Sequence, residues 1–170
     1  MRRSTVILVG LATLVVAVVG LDLLRPEASP ARLPTLPRLI PPGTVATLTL
    51  DRAGTTYEFR KAAGAWMAVG STEPLPVPAA DLLDGLGREL APLYAFRRVE
   101  AALPPAEAGL DPPRFGVVLT LTTGETFVLR LGDPTPEPGG TFLQVADREG
   151  IFVVSSTIAD RVSRLLGPPA

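Results

Sequence analysis

The chain contains no cysteine and no histidine. Without cysteine there is no disulfide framework, no thiolate metal site and no sulfur nucleophile. Without histidine the commonest zinc ligand and the usual general base near neutral pH are both missing. Any catalytic pair must therefore come from Asp, Glu, Ser, Thr, Tyr, Lys and Arg. Charge is also sparse: Asp, Glu, Lys and Arg make up 19% of 170 residues, and the formal net charge is −1. That balance provides no basic field to draw in nucleic acid. Lys61 is the only lysine, and all other basic residues are arginine. Together with 19 prolines and 16 glycines, this reads as the codon bias of a GC-rich genome. No glycine-rich phosphate loop follows a predicted strand, and Asp147-x-Glu149-Gly150 offers too few oxygens for calcium. No cofactor or metal is expected, and the chain does not read as an enzyme.

What the sequence does have begins with an apolar run. Residues Thr5 to Leu24 read TVILVGLATLVVAVVGLDLL, with Asp22 as the only charge. About 20 apolar residues at about 1.5 Å rise cross a hydrocarbon core of about 30 Å. Arg2 and Arg3 precede the run, so the positive-inside rule keeps residues 1–4 cytoplasmic and exports everything after Leu24. The lipid bilayer is thus the first expected partner, through residues 5–24. A cleaved signal peptide is the rival reading. Its apolar region would be shorter, and the best cleavage candidate, Ser29-Pro30-Ala31, lies well past the run. A single-pass anchor in the inner membrane, with an extracytoplasmic domain, is the preferred reading.

Residues 25–42 (RPEASPARLPTLPRLIPP) are proline-rich. Each proline fixes φ and removes a donor, so the segment is expected to be an extended spacer without helix or central strand. From Gly43 to the end, residues 43–170 read as one α+β domain. Val45 to Asp51 and Thr56 to Lys61 alternate with period two, and Ala65 to Val69 adds a third strand carrying Trp66. A helix is predicted over about 78–93, with Leu82, Leu83, Leu86, Leu90 and Leu93 on one stripe. Tyr94 to Glu100 reads as a short strand or extended exit. Leu103 to Pro113 is a proline-framed loop. Strands over 115–121 and 127–131 turn at Thr123-Gly124, and a last hairpin joins 142–146 to 151–155. Thr157 is positioned to cap a terminal helix ending at Leu166. The expected fold is an antiparallel sheet of about seven or eight short strands with two helices. One internal echo stands out: Leu48-Thr49-Leu50, Gly54, Tyr57 and Arg60 parallel Leu119-Thr120-Leu121, Gly124, Phe127 and Arg130.

Few residues carry candidate chemistry. Glu107 and Asp111 flank Gly109-Leu110, but a loop-bonding role and a turn before proline explain them better than acid–base work. Ser155 or Ser156 with Lys61 as base is a second option, with nothing in the sequence to join them. Trp66 and Tyr57 could stack a ligand, although a single Trp beside a meander turn more often anchors a core.

The motifs taken in order resemble a family. They are an N-terminal anchor, an LTL strand with its hairpin, Gly64-x-Trp66, a proline-led helix ending in Leu93-Tyr94-Ala95-Phe96-Arg97-Arg98-Val99, then Ala108-Gly109-Leu110-Asp111-Pro112-Pro113. The hairpin with Thr123-Gly124, Leu131-Gly132-Asp133 and Gly150-Ile151-Phe152-Val153-Val154 complete the series. Together they resemble the bacterial domain-of-unknown-function family numbered forty-three forty, across nearly everything after Pro42. Ala108 stands where that family carries a tyrosine or similar residue, and Pro112-Pro113 is doubled. The resemblance implies an anchored, non-enzymatic, extracytoplasmic domain that often occurs beside ABC-transporter components. A scaffolding module that binds another envelope protein is therefore expected, through a hairpin edge or through Glu107, Leu110 and Asp111 in the proline loop. The alternative is an extracytoplasmic sensor for a glycan or peptide, with a concave pocket containing Trp66 or Tyr57.

Overall fold

The computed structural model describes residues 36–99 and 103–167. The predicted membrane span over 5–24, the cytoplasmic residues 1–4 and the spacer before residue 36 lie outside the described residues. Among the described residues no helix is long and apolar enough to cross a membrane.

The elements in chain order are β1 (Arg38–Ile40), β2 (Val45–Arg52), β3 (Thr55–Ala62), β4 (Ala65–Ala68), α1 (Val77–Leu90), β5 (Leu93–Tyr94) and β6 (Arg97–Arg98). They continue with β7 (Phe115–Leu121), β8 (Thr126–Pro134), β9 (Gly140–Val145), β10 (Phe152–Ser155) and α2 (Ser156–Leu166). The fold is α+β. Eight strands form an antiparallel sheet in the order β4-β3-β2-β7-β8-β9-β10-β6, while β1 and β5 form a separate two-stranded ribbon.

Alternation decides which face is buried. Leu48 pairs with Phe59 on one side and Leu119 on the other, and Leu50 pairs with Tyr57 and Val117. Directly opposed residues share a face, so one row of apolar side chains runs across the sheet. Leu48, Leu50, Val117, Leu119, Leu129 and Leu131 are all fully buried there. The helices cover this face, α1 through Leu83, Leu86 and Leu90 and α2 through Ile158 and Val162. They also pack on each other. Arg161 Nε donates to Glu89 Oε1 at 2.9 Å. Its guanidinium lies against Gly85, in the space that a Cβ there would take.

The meander turns twice on Ala-Gly pairs. Ala53 and Gly54 have φ of 52° and 81°, Ala63 and Gly64 have 48° and 84°. Left-handed φ at both central residues matches the twist of a two-residue hairpin loop. At the other end of the sheet the loop from Leu103 to Pro113 folds back onto the opposite face. Ala108 and Leu110 join Ile151 in a second small core, flanked by Val99, Leu103 and Phe142. The Asp133 N–H donates to the Ala108 carbonyl at 2.9 Å.

Four expectations need correction. The spacer predicted over 25–42 does not stay outside the fold: Arg38–Ile40 is a strand, with Leu39 and Ile40 1% and 0% exposed. Proline lacks a donor but keeps its acceptor, and the Pro37 carbonyl receives the Ala95 N–H at 2.9 Å. The predicted helix over 78–93 runs instead over Val77–Leu90. Ala91, which precedes Pro92, is extended at φ −135°, as proline requires of the residue before it. Leu93 thus leaves the helical stripe and enters β5. The cap of the last helix is Ser155, whose hydroxyl accepts from the Thr157 N–H, not Thr157 itself. Finally, the echoed hairpins lie side by side through Leu48 and Leu119, yet their internal registers differ. Tyr57 pairs with Leu50, whereas its counterpart Phe127 pairs with Leu119 rather than Leu121. The echo is one of composition, not of a repeated unit.

Candidate functional site

Two surface features are distinctive. The first is a cleft of about 160 Å³ between the start of β2, the β3–β4 hairpin and the last turn of α1. Its lining includes Gly43, Val45, Lys61, Trp66, Asp84 and Arg88. A bulge shapes one wall. Val45 pairs with Leu121 but Thr47 pairs with Thr120, so Ala46 is an extra residue in β2. That extra residue turns Val45 inward, where it is 6% exposed, against the simple alternation the sequence suggests.

Lys61 and Trp66 are cross-strand partners, and both face the helix-covered side. Asp84 on α1 meets them. Its Oδ1 accepts from Lys61 Nζ at 2.7 Å and from Trp66 Nε1 at 2.8 Å. The ammonium also lies 5.6 Å from the centroid of the Trp66 ring. The Lys61 bond, then the indole bond, hold the Asp84 carboxyl below the usual aspartate range, against the opposing effect of burial. Arg88 follows one helical turn after Asp84 and adds a second cation. Among the described residues Arg88 takes part in no ion pair within 4.0 Å.

The second feature is the outer face of the β1–β5 ribbon. One side of the ribbon is core, through Leu39, Ile40, Leu93 and Ala95. The other presents Leu36, Tyr94 and Phe96 at 45%, 44% and 53% exposure. Arg38, opposite Tyr94, is exposed beside it, whereas Arg97, next after Phe96, is exposed but paired with Glu137 at 3.3 Å.

The residues singled out from sequence fall differently. Trp66 is 3% exposed, its ring in the core and its N–H engaged, so it is an anchor and offers no face for stacking. Tyr57 is 41% exposed but sits four residues from Lys61 along β3, about 13 Å from the Trp66 rung, and does not line the cleft. In the proline loop Glu107 and Asp111 are exposed, while Leu110 is 1% exposed. Leu110 is therefore corrected from a contact residue to the anchor that holds the loop on the sheet. Lys61 does not meet Ser155 or Ser156: its ammonium is on Asp84, and the Ser155 hydroxyl caps α2. Among the described residues no group of three or more acidic side chains is placed to hold a metal ion.

Sequence reasoning missed Asp84, Arg88 and the ribbon. The spacing of Asp84 and Arg88 on a predicted helix was the one available signal. The ribbon was hidden because β1 lies between prolines. The chain matches no family model, no curated protein and no solved structure. The family resemblance therefore rests on its short motifs alone.

Proposed function

We propose that this chain is a single-pass, membrane-anchored accessory module whose extracytoplasmic domain binds another envelope protein. The observation that carries the reading is the exposed ribbon face of Leu36, Tyr94 and Phe96, with Arg38 exposed beside it. Soluble domains rarely leave several large apolar side chains together in water without a use for them. Aromatic and arginine side chains are also the types that dominate binding energy at protein interfaces. The edges of the sheet favour this surface over strand addition. β4 is capped by its own following segment, since Leu75 N–H donates to the Trp66 carbonyl and Ser71 N–H to the Ala68 carbonyl. β6 is two residues long and both are arginine. The family resemblance suggests an ABC-type transporter component as the partner.

The test is site-specific photo-cross-linking in native membranes with the cross-linker at Phe96 or, as a control face, at Tyr57. A discrete protein adduct at Phe96 that disappears with Tyr94→Asp, and is absent at Tyr57, is the expected result. Equal adducts at both positions, or none at Phe96, would rule the ribbon out as the binding face.

A further inference from the structure

The cleft beside Trp66 is chemically unbalanced in one direction. Lys61 has three N–H donors and spends one on Asp84 Oδ1. Arg88 brings five more, and among the described residues none is in an ion pair. The acceptor side is a single carboxylate, one oxygen of which already takes two hydrogen bonds. Two cations against one anion leave the cleft with one unmatched positive charge. Its remaining walls are Val45, Ala91 and Trp66, which are largely apolar, and the exposed, uncharged Thr44, while Gly43 and Gly87 contribute no side chain to fill it.

We propose that this cleft is a binding site for the carboxylate of a small monoanionic ligand, with Arg88 and the free N–H groups of Lys61 as donors. Three features select that class. Planar guanidinium groups match carboxylates through paired hydrogen bonds. A single negative charge neutralises the surplus, whereas a phosphate dianion would overfill it beside the ionised Asp84. The cleft, of about 160 Å³, has room for a carboxylate on a short apolar stem. Asp84 is the positioning residue: it holds the ammonium against the Trp66 ring and keeps the cleft open between sheet and helix. The carboxylate has two possible sources, a free small acid or the C-terminus of a peptide. The site is independent of the ribbon face, so either proposal can fail alone.

Trp66 is the only tryptophan, and its indole edge lines the cleft, so its fluorescence reports occupancy directly. The full-length protein in detergent is titrated with sodium propionate, with propionamide, and with sodium chloride at matched ionic strength. A saturable change with propionate alone, with a dissociation constant on the order of millimolar, is expected for so few contacting atoms. Arg88→Gln, at an exposed position, should weaken it by about tenfold or more. Arg88→Lys should recover part of the loss, and thermal melts of both variants show that the fold is kept. Dipeptide Ala-Ala and its C-terminal amide form the second arm. Propionate binding without dipeptide binding assigns a free acid. Stronger binding by the free dipeptide than by its amide assigns a peptide end. No saturable change with either carboxylate, equal responses to acid and amide, or unchanged affinity in Arg88→Gln overturns the proposal.

Discussion

At the scale of single residues, the chain brings two of its three single-copy residue types to one place. Its only lysine and only tryptophan share the same aspartate oxygen. Replacing Asp84 with Ala leaves the indole N–H without an acceptor and the ammonium without its counter-ion. Since the Asp84 and Lys61 side chains are 40% and 29% exposed, water recovers part of the loss. The expected destabilisation is about 1 kcal/mol, read from urea unfolding at neutral pH. The same group sets a pH dependence. Its folded pKa lies below the unfolded value of about 3.9, so its contribution is complete above that value and fades as pH falls through the lower, folded pKa. Stability of the native chain should therefore decline faster below about pH 4 than that of Asp84→Asn. Parallel unfolding curves for the two proteins across that range would refute the assignment. None of this convergence could be read from the sequence. Lys61, Trp66 and Asp84 sit on two strands and a helix, and only the β3–β4 register and the packing of α1 bring them together.

At the scale of elements, legibility followed periodicity. The strands around Leu48–Leu50 and Phe115–Leu121, and the Ile158–Val162 stripe of the last helix, were visible because one face of each is buried and the other is not. Elements defined by something other than alternation escaped. β1 is three residues between prolines, β5 starts at Leu93, which reads as the end of a helical stripe, although the extended segment after it was legible, and the bulge at Ala46 reverses a face without changing the residue pattern. The proline loop was legible as a loop but not as a packed one. Its attachment depends on Gly132, where any Cβ would run into the Ala108 carbonyl oxygen. Gly132→Ala should cost about 2 kcal/mol through that overlap and lift the loop off the sheet. Limited proteolysis would then cut between Leu103 and Pro113 in the variant, at a protease dose that leaves the native chain intact. Equal cleavage in both would show that the loop is not held there.

At the scale of the whole molecule, the domain begins earlier than composition implied. Leu39 and Ile40 belong to the main core, so residues that read as tether are structural. A chain starting at Leu36 should fold with a cooperative thermal transition. One starting at Gly43 loses both buried side chains and the β1–β5 pairing. At about 2–5 kcal/mol for each deleted core side chain, it should lose most of a typical margin of about 5–15 kcal/mol. Comparing the two melts checks this, and identical transitions would return residues 36–42 to the spacer.

The guarded rims of the sheet have a consequence for life at a surface. On the proposed anchoring, every copy is confined to a plane, where neighbours meet far more often than they would in free solution. An open rim would then recruit the matching rim of the next copy, and a growing stack would follow. Here one rim is occupied by the chain's own Ser71 and Leu75, and the other is two arginines long. Crowded copies are left able to pass one another, and the attachment to other proteins falls to side chains instead of backbone.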